Sequence, residues 1–241
     1  MAVNRVPPLV VSVLNAGQQS LPSAPDSLMT GLIAYYKMED DSDSHTGGFN
    51  LTDVNGVSRS PGVVLDGADF DSSMSQLLLG SSDSAFDGDG PFSCHIWLHA
   101  RGDTSSLKEY CNKFDLVVGW YLITISGVLA LGVAGDAGLE ATSVVVPSPP
   151  ATQYFSVYFW RDPANDEIGL RMSDSAQDVV AFPGPAVMAN TDQVRFGGND
   201  SLSLFCDCSV DEIGFWNRLL TPAEVTRLAS GITYNGSGPW T

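Results

Sequence analysis

The sequence predicts an all-β protein, an antiparallel two-sheet sandwich with one short C-terminal helix. Three observations predict it. Among its 241 residues the chain carries 24 glycines and 14 prolines, which with frequent Ser, Asp and Asn supply a dense series of turns. Apolar runs recur at about ten to fifteen residues per strand and turn, the rhythm of an antiparallel sandwich. One stretch alone, near the C-terminus, has helix-capping chemistry.

The elements follow in order. Residues 1–30 hold Pro7, Pro8, Pro22 and Pro25 and a polar patch from Gln18 to Ser20, so they read as an extended arm. Within it Leu9, Val10, Val11, Val13 and Leu14 form one β-prone piece. Two readings stand open for that piece: an unstructured terminus, or a strand that docks on a partner by β-augmentation. From Gly31 the pattern becomes regular. GLIAYYKM opens the domain, a polar loop DDSDSHTGGFN follows, and VVLDGADF and QLLLG are the next strands. FSCHIWLHA is apolar on both faces and reads as a central strand. GWYLITIS and VLALGVAG pair as a hairpin through Gly127. QYFSVYFWRD and EIGLRMSD pair through Pro163-Ala164-Asn165-Asp166. VRFGG and SLSLFCDCSVDEIGFWNR are the last strands. In LTPAEVTRLASG, Thr221 is an N-cap, Pro222 stands at the first helical position and Glu224 completes a capping box. Gly231 is placed to stop that helix. The domain is expected over 31–234, with a tail at 235–241.

Charge narrows the partners. Lys plus Arg is 11 and Asp plus Glu 28, a net charge of −17. Such a field repels phosphate, so nucleic acid and acidic membrane surfaces are excluded as partners. No apolar run approaches the roughly 20 residues of a membrane-spanning helix. The apolar stretch near the N-terminus is short and broken by Ser12, so a secretory signal is not expected. Cys94, Cys111, Cys206 and Cys208 are expected to be free thiols of a protein made in a reducing cytoplasm.

Two segments together resemble a known family. The first runs from GLIAYYKMEDDSDSHTGGFNLTDVNGV through GVVLDGADFD to PFSCHIWLHA; the second is VRFGGND followed by CDCSVDEIGFWNRLLTPAEVTRL. They resemble the laminin-G-like, concanavalin A-like jelly-roll family, in the branch common in phage and environmental bacteria. The matching positions are Gly31 to Tyr36, Glu39, Asp66-Gly67, Trp97, and Asp211-Glu212 through Glu224. The sequence departs from the family at Tyr36, where Trp is common, and in the loop SHTGGFN. The resemblance implies a concanavalin A-like jelly roll, glycan binding as the usual activity, and a D-E strand lying near the opening strand.

The chemistry the residues could carry is limited. Glycoside hydrolysis needs two carboxylates about 5–9 Å apart. Asp211 and Glu212 are adjacent and are expected on opposite faces of a strand. His95 and His99 stand about 13 Å apart along a strand, too far to share zinc. No nucleophile elbow, P-loop or paired C-x-x-C is present, so no enzyme is expected. For metal, the implied approach of the two strands would let Glu39, Asp43 and Asp211 meet as ligands for calcium, which favours oxygen donors. The competing reading makes these acids solvated turn residues, with Asp66 and Asp211 holding turns through side-chain-to-backbone bonds. Asp87-Gly88-Asp89-Gly90 reads as a turn without the Glu that would complete an EF-hand loop, and Arg101-Gly102-Asp103 as a chance tripeptide. Trp120, Tyr121, Trp160 and Trp240 are candidate exposed aromatics for sugar stacking, while Trp97 and Trp216 are expected in the core.

The expected protein is thus a non-enzymatic structural component of a phage virion, a capsid decoration or a head or tail fibre protein. Its partners would be other virion proteins, sister copies and a host surface glycan, with calcium as the one candidate cofactor. The alternative is a glycan-binding module of a bacterial cell-surface or secreted protein.

Overall fold

A computed structural model describes residues 26–232, apart from 102–103, 137–138, 146–149, 151, 174–175 and 183–186. The arm residues Leu9, Val10, Val11, Val13 and Leu14, the tail 235–241, Trp240 and the Gly102-Asp103 part of the tripeptide lie outside the described residues. The first strands are β1 (Leu32–Tyr36), β2 (Thr52–Val54), β3 (Ser58–Pro61), β4 (Asp66–Phe70), β5 (Leu77–Leu79) and β6 (Phe92–Ala100). Next come β7 (Lys108–Phe114), β8 (Gly119–Ile125), β9 (Val128–Gly135), β10 (Leu139–Val145), β11 (Phe155–Asp162) and β12 (Glu167–Met172). The last are β13 (Ala176–Ala181), β14 (Arg195–Phe196), β15 (Gly198–Asn199), β16 (Leu204–Phe205) and β17 (Cys208–Trp216), followed by helix α1 (Pro222–Ala229).

Two antiparallel sheets face each other. One runs β13-β12-β11-β6-β17-β4-β3, with β1 also pairing β17. The other runs β10-β9-β8-β7-β14-β5-β2. This is the expected sandwich with its short C-terminal helix. The central strand β6 pairs β11 on one side and β17 on the other, as its two-faced apolar pattern requires. Both expected hairpins form, β8 with β9 and β11 with β12. Between the sheets Phe92, Trp120, Phe159, Phe196 and Phe215 pack edge and face in one aromatic core. Trp120, expected as an exposed aromatic, is buried there and its Nε1 donates to the Phe86 carbonyl at 2.8 Å. Alternation explains the reversal: Trp120 and Leu122 point inward on β8, and Tyr121 points out.

A second apolar cluster lies on the outer face of the eight-stranded sheet. Leu28, Leu32, Tyr35, Tyr158 and Trp216 pack there under Leu220, Val225 and Leu228 of the helical segment. The capping box is made as expected: Glu224 N–H donates to Thr221 Oγ1, and the Thr221 amide donates to Glu224 Oε2 at 2.8 Å. Residues 26–30, assigned to the arm by sequence, belong to this packing. Trp216 Nε1 donates to the Leu28 carbonyl, and the Arg227 guanidinium pairs with both Asp26 oxygens at 2.9 and 2.8 Å.

One cysteine expectation is corrected. Cys206 and Cys208 are joined as a disulfide, while Cys94 and Cys111 are free and buried. Residues two apart on an extended strand lie roughly 6.6 Å apart with side chains on one side. Here the chain bends before β17 begins, and the two Cα atoms close to 5.4 Å.

Candidate functional site

The outer face of β11, β12 and β13 carries a groove beside α1. Phe155, Val157 and Phe159 of β11 point into the core, so Tyr158 and Trp160 point outward. The register sets two cross-strand rows. Tyr158 stands opposite Arg171, and Arg171 opposite Gln177. Trp160 stands opposite Gly169, and Gly169 opposite Val179. Gly169 decides the pose of the indole, because a side chain there would collide with the Trp160 ring. The ring therefore lies flat along the sheet. Tyr158 stacks on it with centroids 5.1 Å apart and planes 20° from parallel. Tyr158 is held in turn by the Leu220 amide, which donates to its hydroxyl at 3.0 Å. Burial pushes the Tyr158 phenol up to about 12, so it stays neutral. Leu219, Pro222 and Val225 wall one side of the groove, whose volume is about 170 Å³.

A second concavity lies on the outer face of the seven-stranded sheet. Tyr121 lies over Gly132 as Trp160 does over Gly169, with the Phe114 ring 5.0 Å away. Leu107, Ile123, Ile125 and Leu204 make the rest of a groove of about 240 Å³ predominantly apolar. Its one carboxylate is Glu109, buried, with Asn199 Nδ2 at 3.5 Å. Burial pushes the Glu109 carboxyl up to about 7, against weaker pulls from Asn199 and Arg195.

The acids singled out in the sequence go elsewhere. Asp43 is buried and accepts from the Tyr35 and His45 amides at 3.1 and 3.0 Å, pinning the loop after β1. Asp211 accepts from the Val63 and Val64 amides at 2.7 and 3.0 Å, pinning the turn before β4. Glu39 is half-buried, with Oε1 enclosed and unpartnered among the described residues. Among the described residues no group of three His, Cys, Asp or Glu side chains is placed to hold a metal ion, so Glu39, Asp43 and Asp211 do not come together as a calcium site. Asp211 thus holds a turn through backbone amides, and Asp43, expected as a solvated acid in the competing reading, is buried and does the same.

The expectation that Asp211 and Glu212 face opposite sides is also corrected. A bulge interrupts the β17–β6 register between Asp211 and Gly214, and Glu212 takes a positive φ of 47°. The extra residue turns Glu212 to the outer face with Asp211, where it accepts from the Tyr35 hydroxyl. Burial pushes the Asp211 carboxyl up to about 7; the Glu212 charge adds to this and the amides of Val64 and Val63 oppose it. His95, also on this face, is buried with Nε2 at 2.9 Å from Ser156 Oγ, and burial lowers its pKa to about 3. His99 packs against the Tyr154 ring, so both histidines are packing groups. Trp216 is in the core cluster as expected, but Trp97 is only half-buried.

Sequence reading named Trp160 and Tyr121, and both line grooves. It missed Arg171 and Gln177. The signal was present in the hairpin: a four-residue turn sets Trp160 opposite Gly169, which places Arg171 beside Tyr158 on the same face.

No family model and no curated protein sequence matches the chain. Solved structures do. The binding domain of Paraclostridial Mosquitocidal Protein 1 superposes with a TM-score of 0.71 at 14% identity, over 83% of this chain and 52% of that one. The binding domain of botulinum neurotoxin DC, in complex with SialylT, gives 0.67 at 12% identity over 85% of this chain and 52% of that one. The same toxin domain in complex with rat synaptotagmin II also gives 0.67 at 12% identity, again over 85% and 52%. The chain spans about half the length of these domains. At such identities the likeness shows the fold alone: this chain has a β-sandwich fold also found in these toxin binding domains.

Proposed function

We propose that this chain is a non-enzymatic glycan-binding domain that stacks a sugar ring on Trp160. The observation that carries the reading is the pose of that indole, laid flat over Gly169, backed by Tyr158 and bordered by Arg171 and Gln177. A flat aromatic beside hydrogen-bonding side chains is the arrangement sugars use, with the apolar ring face on the indole and the hydroxyls at its rim. The toxin domain of like fold captured with SialylT lends the reading support. The reading requires no calcium: Asp43 and Asp211 accept from backbone amides away from the indole. Two settings suit such a domain: display on a phage particle as a decoration or fibre protein, with sister copies and other virion proteins as partners, or a bacterial surface or secreted protein. Neighbouring genes for capsid or tail proteins support the first, and their absence the second.

The test is a glycan array with the intact chain and with Trp160→Ala. The reading expects binding to a defined set of oligosaccharides, lost in the variant. Retention of the full pattern by the variant, at unchanged melting temperature, removes Trp160 as the platform.

A further inference from the structure

We infer that the Trp160 groove selects acidic sugars, and that Arg171 reads their carboxylate. The inference rests on the glycan-binding reading and specifies its ligand. The first observation is the charge around the groove. The chain has 28 acidic residues, yet Tyr158, Trp160, Arg171, Gln177 and the helix-side residues that line this groove include none of them. Its one charged group is a cation.

The second observation is how that cation is held. Among the other arginines, Arg101 is tied to Asp207, Arg195 to Asp192 and Asp200, Arg218 to Glu224 and Arg227 to Asp26. Arg171 makes no ion pair among the described residues. Its Nε donates to the Ser173 carbonyl at 3.1 Å, which orients the guanidinium. A planar fork presented this way matches a carboxylate with two parallel hydrogen bonds, a geometry a lysine cannot copy.

The third observation is spacing. Arg171 lies one row along the sheet from Gly169, the residue under the indole. Two residues of strand span roughly 6.6 Å. A carboxylate carried on a pyranose ring places its oxygens roughly 4 Å from the ring centre, and a hydrogen bond of about 2.9 Å to a guanidinium makes up the rest of that span. Gln177, opposite Arg171 and exposed, offers an amide to the neighbouring hydroxyls. A neutral sugar would use the indole and the amide and leave the guanidinium idle.

Calorimetric titration of the intact chain with 3′-sialyllactose, lactose and 3′-sulfolactose tests this. Sialyllactose is expected to bind at least tenfold more tightly than lactose. Arg171→Gln should bring sialyllactose down to the level at which the variant binds lactose, and Arg171→Lys should recover only part of the preference. Arg171 is half-exposed with a single hydrogen bond, so both variants should melt with the parent. Equal binding of lactose and sialyllactose, with both lost in Trp160→Ala, overturns the inference and leaves the glycan reading standing. Sulfolactose matching sialyllactose overturns the carboxylate pairing in favour of charge alone. No binding of any sugar sinks both.

Discussion

The Asp211 carboxylate accepts a hydrogen bond from the Val63 amide at 2.7 Å, joining the last long strand to a turn 148 residues earlier. Burial lifts this carboxyl from its ordinary 3.8 to about 7. A raised folded-state pKa means that the folded protein binds the proton more tightly than the unfolded chain. The stabilisation from Asp211 is therefore complete below about pH 4 and is lost as pH rises toward 7. Asp211→Asn keeps an acceptor for the amides and removes the titration. Melting temperatures from pH 4 to 7 should fall less steeply in the variant than in the parent; parallel curves refute this.

Glu224 works in the opposite sense. Burial pushes its carboxyl up, but hydrogen bonds from Arg218 and from Thr221 outweigh it and hold it at about 2, below the ordinary 4.5. Its stabilisation is present above pH 4.5 and is lost as pH falls through 2. Because α1 walls the Trp160 groove, indole fluorescence should change over that acid window in the parent. Glu224→Gln should blunt the change, and Thr221→Ala should cost about 1 kcal/mol at neutral pH by removing the cap.

Lys113 is fully buried and pairs with buried Asp87, and its Nζ also donates to the Asn190 carbonyl at 3.0 Å. Removing one partner strands the other charge in an apolar interior. Asp87→Ala or Lys113→Ala should each cost about 3–5 kcal/mol, whereas replacing both with apolar residues should cost much less. Chemical denaturation of the two single variants and the double variant measures this. Additive losses would contradict the pairing.

The Cys206–Cys208 bond predicts a thiol count. Alkylation of the denatured, unreduced chain should label two cysteines, and alkylation after reduction should label four. A ring of three residues restrains little unfolded chain, so Cys206→Ser with Cys208→Ser should cost no more than roughly 1.5 kcal/mol.

The sandwich was legible because its periodicities are local. The β8–β9 turn through Gly127 and the Thr221–Glu224 box both announce themselves within a few residues. Strand β7 was not legible. Its Lys113, Glu109 and Asn112 look like surface residues until Asp87, Asn199 and the Gly198 carbonyl arrive from distant segments. The side taken by Glu212 was hidden in the same way, since one bulged residue overrides strand alternation. For the candidate groove, the aromatic was visible and its arginine was not. Arg171 acquires meaning only through the register between two strands and the lack of an acid among the side chains described as lining its groove.

The clasp between Asp26 and Arg227 brings the first and last parts of the described domain to one corner. Segments 201 residues apart in sequence are tied there side by side. The domain is therefore suited to hang from a host polypeptide by a single hinge point and to be spliced into a loop of another protein. A circular permutant joining the two sides of this corner and opened at the Asp162–Glu167 turn should still fold, provided the clasp is spared.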